Sequence, residues 1–289
     1  DITGIPGSKT LTNTGALYKI DDTVKVTGGG TGALFQISDI GTGSVDELIL
    51  DDAGSNYAIG DVINFNNTGT LGANAAGFIR VVNGGIANED SSGDRIVLEE
   101  FTQEGDRYAG DVIVQETETG TGDITDLFLS NGGNGYKTTP VLTITSSSGN
   151  GGKIRAFGNG IGKVNGLKTV EHGKRYETSP APTLSFFQNF LVVDITGSFV
   201  AGDTFTTSGS ASGNIDSLDT DRNILKLKDV VGTININDTI TSQTGGTAKV
   251  KKFNIASATV DVVPITDTDG EFINEDGKIS ESTMRVQDS

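Results

Sequence analysis

Short runs of alternating apolar and polar residues recur along the chain, roughly 8 to 15 residues apart. Each run is rich in β-branched or aromatic residues and is followed by Gly, Asn, Asp or Ser, which favour turns. Clear examples are residues 33–37, 62–65, 127–129, 141–145 and 224–228. No stretch of about 12 residues has the apolar spacing of an amphipathic helix. The pattern predicts an all-β chain of tandem small β-sandwich or barrel modules, built from repeated hairpin units.

Four tyrosines occur in one sequence frame, with a glycine three residues before each of them. The pairs are Gly54 and Tyr57, Gly105 and Tyr108, Gly133 and Tyr136, and Gly173 and Tyr176. Glycine can take the positive φ that a tight loop needs, and a tyrosine can bury its ring while its hydroxyl forms a hydrogen bond. We therefore interpret the frame as one hairpin unit used four times, in which the tyrosines are structural residues and not carbohydrate-stacking platforms.

A second repeat covers residues 194–250. Residues 194–206 align without a gap with residues 229–241, at an offset of 35 positions. Asp203 is thereby aligned with Asp238. Both copies continue through a Ser/Gly/Thr-rich turn into another strand-like run. Each copy has too few apolar residues to bury a face alone, so we expect the two copies to pair into one small barrel or sandwich.

These repeats predict four regions along the chain. Residues 1–20 are an N-terminal linker, and residues 21–189 are a β region of glycine/tyrosine hairpin repeats that forms one module or two. Residues 190–256 hold the tandem 35-residue β repeat, and residues 257–289 begin a further, truncated module. Because the chain lacks an initiator methionine and ends at Met-Arg-Val-Gln-Asp-Ser, we expect it to be a fragment of a longer protein.

Composition narrows the classes of partner. The 289 residues include 38 acidic and 21 basic side chains, which gives a formal net charge of −17. This charge repels nucleic acid and anionic membranes at long range, so neither is an expected partner. No apolar run reaches the length of a membrane-spanning helix. The chain has no cysteine, which excludes disulfides and thiolate zinc sites.

Few residues are candidates for catalysis. His172 is the single histidine and lies beside Glu171, and a catalytic triad needs a histidine base. The other copies of the tyrosine frame carry Ala53, Glu104 and Gly132 at the position of His172, as expected for an exposed turn. We therefore predict no catalytic residues and no enzymatic activity.

Glycine clusters and acidic clusters raise the question of phosphate or metal binding. The clusters at 28–32, 149–152 and 158–162 lack the Gly-Lys-Ser/Thr ending and the helix of a phosphate-binding loop, so we interpret them as hairpin and bulge glycines. In the acidic segment 267–277, Gly270 is fourth from Asp267, where an EF-hand needs its glycine sixth. A solvated acidic turn is favoured there, with weak calcium binding left open, and we predict no cofactor and no metal site.

Three parts of the sequence resemble large virion structural proteins of T4-like tailed phages, especially those that infect marine cyanobacteria. They are the phrase Leu-x-Leu-x-x-x-Gly-x-x-Tyr-x-x-x-Pro-x-Leu-Thr-Ile at 127–144, the Gly-Asp-Thr-Phe and Asn-Asp-Thr-Ile units, and residues 267–280. The resemblance covers most of residues 20–289. It implies a non-enzymatic fragment of a tail, baseplate or fibre component, located in the virion, with other virion structural proteins as partners. The behaviour of fibre proteins in general further predicts a homo-oligomer, expected to be a trimer.

Two alternative functions belong to other classes. A host-receptor or glycan-binding phage adhesin would use Tyr57, Tyr108, Tyr136 or Tyr176 and polar loops to bind surface glycans. A polysaccharide-cleaving spike would need two carboxylates about 5–10 Å apart in a groove, and the sequence indicates no such pair. The structural protein is the preferred hypothesis, and the adhesin is the alternative.

Overall fold

The computed structural model describes residues 3–83, 95–100, 111–116 and 121–264. These residues form 22 β-strands and no helix, which confirms the all-β prediction. The first eleven strands are β1 (Thr3–Asn13), β2 (Thr23–Thr27), β3 (Thr31–Ile40), β4 (Glu47–Asp52), β5 (Tyr57–Ala58), β6 (Val62–Asn66), β7 (Ala73–Asn83), β8 (Arg95–Glu100), β9 (Asp111–Glu116), β10 (Thr121–Asn134) and β11 (Val141–Thr145). The others are β12 (Lys153–Phe157), β13 (Val164–Lys174), β14 (Tyr176–Glu177), β15 (Thr183–Phe186), β16 (Gln188–Thr196), β17 (Thr204–Thr207), β18 (Ser212–Asp219), β19 (Ile224–Val231), β20 (Thr239–Ser242), β21 (Thr247–Phe253) and β22 (Ser257–Pro264).

Six strands, which we call module A, form most of one antiparallel sheet. Module A consists of β1, β2, β3, β13, β15 and β22, and the sheet order is β13-β3-β2-β15-β22-β1-β14. Alternation places every second residue of β3 in the core, at Ala33, Phe35 and Ile37. Val24 on β2 and Val164 on β13 complete this part of the core.

Another six strands, which we call module B, repeat this arrangement in residues 44–158. Module B consists of β4, β6, β7, β10, β11 and β12; the sheet order is β11-β6-β7-β10-β5, and β12 and β4 form a separate pair. Its core includes Ile63, Ile79, Val82 and Ile124. Strand by strand, β1, β2, β3, β13, β15 and β22 correspond to β4, β6, β7, β10, β11 and β12. The two modules therefore share one topology.

The chain path is nested and not sequential. Residues 44–158 form a compact unit that is inserted between β3 and β13 of module A. The equivalent connection of module B, between β7 and β10, contains β8 and β9, which pair with each other as antiparallel strands. A further group of strands is inserted between β15 and β22 of module A, where module B has only the short segment 146–152.

This further group is a closed barrel of six strands, in the order β16-β19-β18-β17-β20-β21. The strands β17 and β18 of one 35-residue copy correspond to β20 and β21 of the other, and β17 pairs with β20. Phe205 and Ile240 occupy equivalent positions in the two copies, and both are buried in the barrel core with Phe190 and Leu225. The predicted pairing of the two copies is confirmed, and of the two predicted forms, barrel or sandwich, the structure shows the barrel.

The predicted order of regions needs two corrections. Residues 3–13 are not a linker, because they form β1, which pairs with β22 near the other end of the described chain. Residues 257–264 do not begin a further module, because as β22 they complete the sheet of module A. Residues 21–189, predicted to form one module or two, divide into the compact unit of residues 44–158 and flanking residues that belong to the other unit. Residues 265–289 of the predicted last module lie outside the described residues.

Candidate functional site

The predicted tyrosine frame forms one local structure in every copy that the structure describes. Gly54, Gly133 and Gly173 have φ values of 58°, 64° and 62°, in the left-handed region that glycine enters without steric cost. A Cβ atom at each position would lie 2.3–2.4 Å from a backbone atom of the facing segment. Both the conformation and the space therefore require glycine. Gly105 and Tyr108 lie outside the described residues.

The tyrosines of the frame are buried and use their hydroxyl groups to hold a neighbouring segment. The Gly152 amide donates a hydrogen bond to the Tyr57 hydroxyl at 3.0 Å. The Ala33 amide donates a similar bond to the Tyr176 hydroxyl at 3.1 Å. A buried amide needs such an acceptor, since an unpaired backbone donor costs about 1–3 kcal/mol. We call each set of glycine, tyrosine and donating amide a tyrosine lock.

Tyr136 forms the lock with the most hydrogen bonds in module B. Its ring is fully buried, and its hydroxyl accepts a hydrogen bond from the Ala75 amide and donates one to the Asn67 Oδ1 atom at 2.9 Å. Burial raises the pKa of the Tyr136 hydroxyl, and the bond from Ala75 opposes this shift. The neutral hydroxyl is thus the form that the folded structure stabilises.

A further lock, which the sequence interpretation missed, surrounds Tyr18. Gly15 lies three residues before Tyr18, has φ of 61° and fits the same frame. The Tyr18 hydroxyl accepts a hydrogen bond from the Ala256 amide at 2.9 Å and donates one to the Phe187 carbonyl at 3.0 Å. Burial raises the pKa of this hydroxyl well above its ordinary value. The sequence signal for this lock is Asn13, two residues before Gly15. The Gly15 amide donates a hydrogen bond to the Asn13 Oδ1 atom, as the Gly133 amide does to the Asn131 Oδ1 atom.

A second glycine lies beneath the ring in three of the locks. A Cβ atom would be 2.4 Å from the Tyr176 ring at Gly30, 2.1 Å from the Tyr136 ring at Gly72 and 2.2 Å from the Tyr57 ring at Gly149. Gly30 and Gly149 belong to the clusters 28–32 and 149–152 that were considered as phosphate loops. Their absent side chains make room for tyrosine rings, in agreement with the interpretation as hairpin glycines.

Asp203 and Asp238 occupy matching turns, and the structure adds two further copies at Asp22 and Asp61. In all four, the aspartate amide donates to the carbonyl three residues earlier at 3.1–3.2 Å. The residue before the aspartate has a positive φ in each, at Asp21, Gly60, Gly202 and Asn237. The backbone carbonyl of the aspartate accepts a hydrogen bond of 2.8–2.9 Å from an amide on the strand that pairs with the strand after the turn. The donors for Asp22, Asp61, Asp203 and Asp238 are the amides of Ile37, Ile79, Ile215 and Val250 respectively. We call this element the aspartate turn, and it occurs in module A, in module B and twice in the barrel.

Asp22 also joins module A to the barrel. Its carboxylate forms an ion pair with Lys226, and the two side chains are only 9% and 15% exposed. The Lys226 Nζ atom lies 3.7 Å from the Asp216 Oδ2 atom and 4.6 Å from the centroid of the Phe187 ring. Because each charge has an opposite charge beside it, this cluster serves to connect the two parts of the unit.

The remaining candidates for chemistry are dispersed. His172 and Glu171 are exposed on β13, an edge strand of the module A sheet. The described residues contain no group of three or more His, Cys, Asp or Glu side chains that could hold a metal ion. The acidic segment 267–277 lies outside the described part of the chain. Within the described part, no helix is long and apolar enough to cross a bilayer.

The locks and turns position loops, and the tyrosine hydroxyls of the locks are occupied by hydrogen bonds within the fold. The rings of Tyr57, Tyr136 and Tyr176 are at most 4% exposed, so they offer no face on which a sugar could stack. Comparison of the chain with protein-family models, with curated proteins and with solved structures finds no match.

Proposed function

We propose that this chain is a non-enzymatic structural protein of a tailed-phage virion, part of a tail, baseplate or fibre component that assembles with neighbouring virion subunits. The observation that carries the proposal is the repeated use of one scaffold. The aspartate turn recurs in module A, in module B and in the barrel, and the tyrosine lock recurs in both modules. The resemblance of the sequence to T4-like virion proteins supplies the virion context.

Nested modules suit a structural role for a physical reason. Each insertion begins and ends at neighbouring positions of one hairpin or loop, so a complete module can be added without breaking the sheet that receives it. The result is a long chain with many separate surfaces, each held by its own core. The net charge of −17 is expected to keep such edge-rich β modules soluble before assembly.

The buried tyrosines weigh against the form of the adhesin hypothesis that depends on them. Tyr57, Tyr136 and Tyr176 would have to leave the core to contact a glycan, and the amides that they accept would lose their partners. A glycan array probed with the chain separates the two functions. The structural proposal predicts no signal above background, whereas saturable binding to a glycan class would favour the adhesin.

Purified particles of the phage that encodes the chain provide the direct test of the proposal. We expect peptides of this chain in the mass spectrum of the particles and immunogold labelling at the tail, baseplate or fibres. The control is a non-structural protein of the same phage, which should be absent from the particles. Particles that contain no peptide of this chain would overturn the proposal. The trimeric state remains a prediction, and sedimentation of the chain checks it.

A further inference from the structure

The outer face of the module B sheet carries an apolar row that crosses three strands. Val62, Phe78 and Phe128 lie in register on β6, β7 and β10, with Val62 opposite Phe78 and Phe78 opposite Phe128. Val62 is 52% exposed and Phe128 is 39% exposed. The rings of Phe78 and Phe128 are 5.1 Å apart, with an angle of 44° between their planes. We call these three side chains the apolar row.

The fold does not require apolar residues at these positions, because the other aspartate turns carry polar ones. The residue after the aspartate and its cross-strand partner are Thr23 and Gln36 in module A, and Thr204 with Asn214 and Thr239 with Lys249 in the barrel. Lys168, opposite Gln36, is the module A equivalent of Phe128. All the described copies outside module B are therefore polar, and an exposed apolar row that the scaffold does not need indicates a contact surface.

The charge around the apolar row is balanced. Arg80 and Asp126 flank Phe78 and Phe128 on the same two strands, and the two side chains form an ion pair. Asn64, Asn66, Ser130, Thr143 and Thr145, the exposed residues of this face nearest the row on β6, β10 and β11, are uncharged, and Asp123 near the start of β10 is the one further exposed acidic residue on these strands. In a chain with a net charge of −17, this nearly neutral face is one that another copy of the same acidic chain can approach.

We propose that the apolar row is the site at which a second copy of this chain docks, face to face, about a two-fold axis. The axis runs along the strands, between β7 and β10. It places Phe78 of one copy over Phe128 of the other, and Arg80 of one copy over Asp126 of the other. Each ion pair within a copy becomes a four-charge network across the interface, and the aromatic rings leave water. This pairing deepens the proposed assembly role and rests on it, and it replaces the trimer expected from fibre proteins in general with a dimer.

The size of this face determines how tightly the two copies are expected to bind each other. Four strands about 4.8 Å apart, each contributing about five residues of 3.4 Å, give a face of roughly 300 Å² per copy. Stable complexes bury about 800 Å² per partner. The isolated chain therefore forms a weak dimer that dissociates on dilution, and a virion would strengthen the contact by holding many copies in place.

The first test replaces the apolar row with its module A equivalents. Sedimentation equilibrium of the whole chain up to about 1 mM should show a concentration-dependent dimer. The variant Val62→Thr, Phe78→Gln, Phe128→Lys should remain monomeric at every concentration and fold normally, because module A carries the same residues in the same sheet positions. The matched control, Val231→Thr in the barrel, removes an apolar side chain that is 70% exposed and should leave dimerisation unchanged.

The second test uses the charges to identify the occupant as another copy. Arg80→Asp alone and Asp126→Arg alone each place like charges across the axis and should weaken dimerisation at least about tenfold. An equimolar mixture of the two variants should restore it, because opposite charges then face each other. No partner other than a second copy predicts this rescue.

Several outcomes overturn the proposal. The wild-type chain could stay monomeric or form a trimer. The triple variant could still form the dimer, or the mixture of charge variants could fail to associate. A triple variant with a lowered melting temperature and an unchanged mass would show that the row is covered within its own chain. Particles that contain the chain while the purified chain stays monomeric would leave the virion role intact and remove this interface. Particles without the chain would remove the virion role and leave the dimer measurement standing.

Discussion

Modules A and B share one topology and one set of locks, but their outer faces differ. At the positions where module B has Val62, Phe78 and Phe128, module A has Thr23, Gln36 and Lys168. The inner elements, in contrast, keep the same residue types at glycine and tyrosine positions. The fold therefore depends on the locks and on the buried alternation, and the outer face is free to vary for contacts.

The largest expected effect comes from a lock glycine in module B. Gly133→Ala should lower the free energy of unfolding by about 3 kcal/mol, because alanine disfavours a positive φ and its Cβ would meet the Ala73 carbonyl oxygen. Gly69→Ala is the matched control, since Gly69 also has a positive φ but has open space around it. It should cost about 1 kcal/mol. Urea denaturation measures both, and equal losses would contradict a steric role for the lock glycine.

The next largest expected effect is a difference in unfolding free energy between substitutions in the aspartate turns of the two modules. Asp22→Asn should cost about 2 kcal/mol, because it leaves Lys226 without its closest carboxylate in a mostly buried position. Asp61→Asn should cost less than about 0.5 kcal/mol, because the Asn side chain can still accept the Ala58 amide. Adding Lys226→Met to Asp22→Asn should recover part of the loss. Equal effects of the two Asp substitutions in urea denaturation would show that the ion pair contributes nothing.

Removing a lock hydroxyl should have a smaller effect, and it should be larger for Tyr136 of module B than for Tyr176 of module A. Tyr136→Phe removes two hydrogen bonds, whereas Tyr176→Phe removes one described bond, from the Ala33 amide. We expect losses of about 2 and about 1 kcal/mol. Thermal unfolding of the two variants tests the order. A neutral effect of both would contradict the proposed role of the hydroxyls.

The sequence alone was sufficient for the local elements. Alternation in residues 33–37 and 62–65 identified strands, because a half-buried strand exposes every second residue. The 35-residue repeat identified two copies of one β unit that pair, because residues 194–206 align without a gap with residues 229–241, and it left barrel and sandwich as alternatives. The lock frame was visible as well, and the Tyr18 copy was missed although Asn13 and Gly15 mark it.

Sequence patterns could not show the long-range arrangement. The pairing of β1 with β22 joins residues about 250 positions apart, and the local pattern of β1, with Gly4, Pro6 and Gly7, looks like a linker. The insertion of module B and of the barrel into module A likewise depends on which distant strands pair with each other. No local sequence pattern indicates this pairing. The glycines beneath the tyrosine rings were visible only as clusters, because their partners lie on distant segments.

The smallest expected effect is the loss of stability at alkaline pH that the buried Tyr18 hydroxyl causes. The folded-state pKa of Tyr18 is raised above the ordinary value of 10.0, so the unfolded chain loses its proton first. Stability is therefore complete below pH 10.0 and falls as the pH rises above that value. Thermal melts of the wild type and of Tyr18→Phe between neutral and alkaline pH should show a steeper decline in the wild type. Parallel curves would contradict the shift.

Hydrogen exchange at the lock amides tests most directly the claim that both modules are held by the same device. The amides of Ala33, Ala75, Gly152 and Ala256 donate to Tyr176, Tyr136, Tyr57 and Tyr18 respectively. We expect all four to exchange slowly in the native chain, and each Tyr→Phe variant to accelerate its own amide at least about tenfold while the other three change little. Unprotected amides in the wild type, or uniform acceleration of all four in a single variant, would contradict the account.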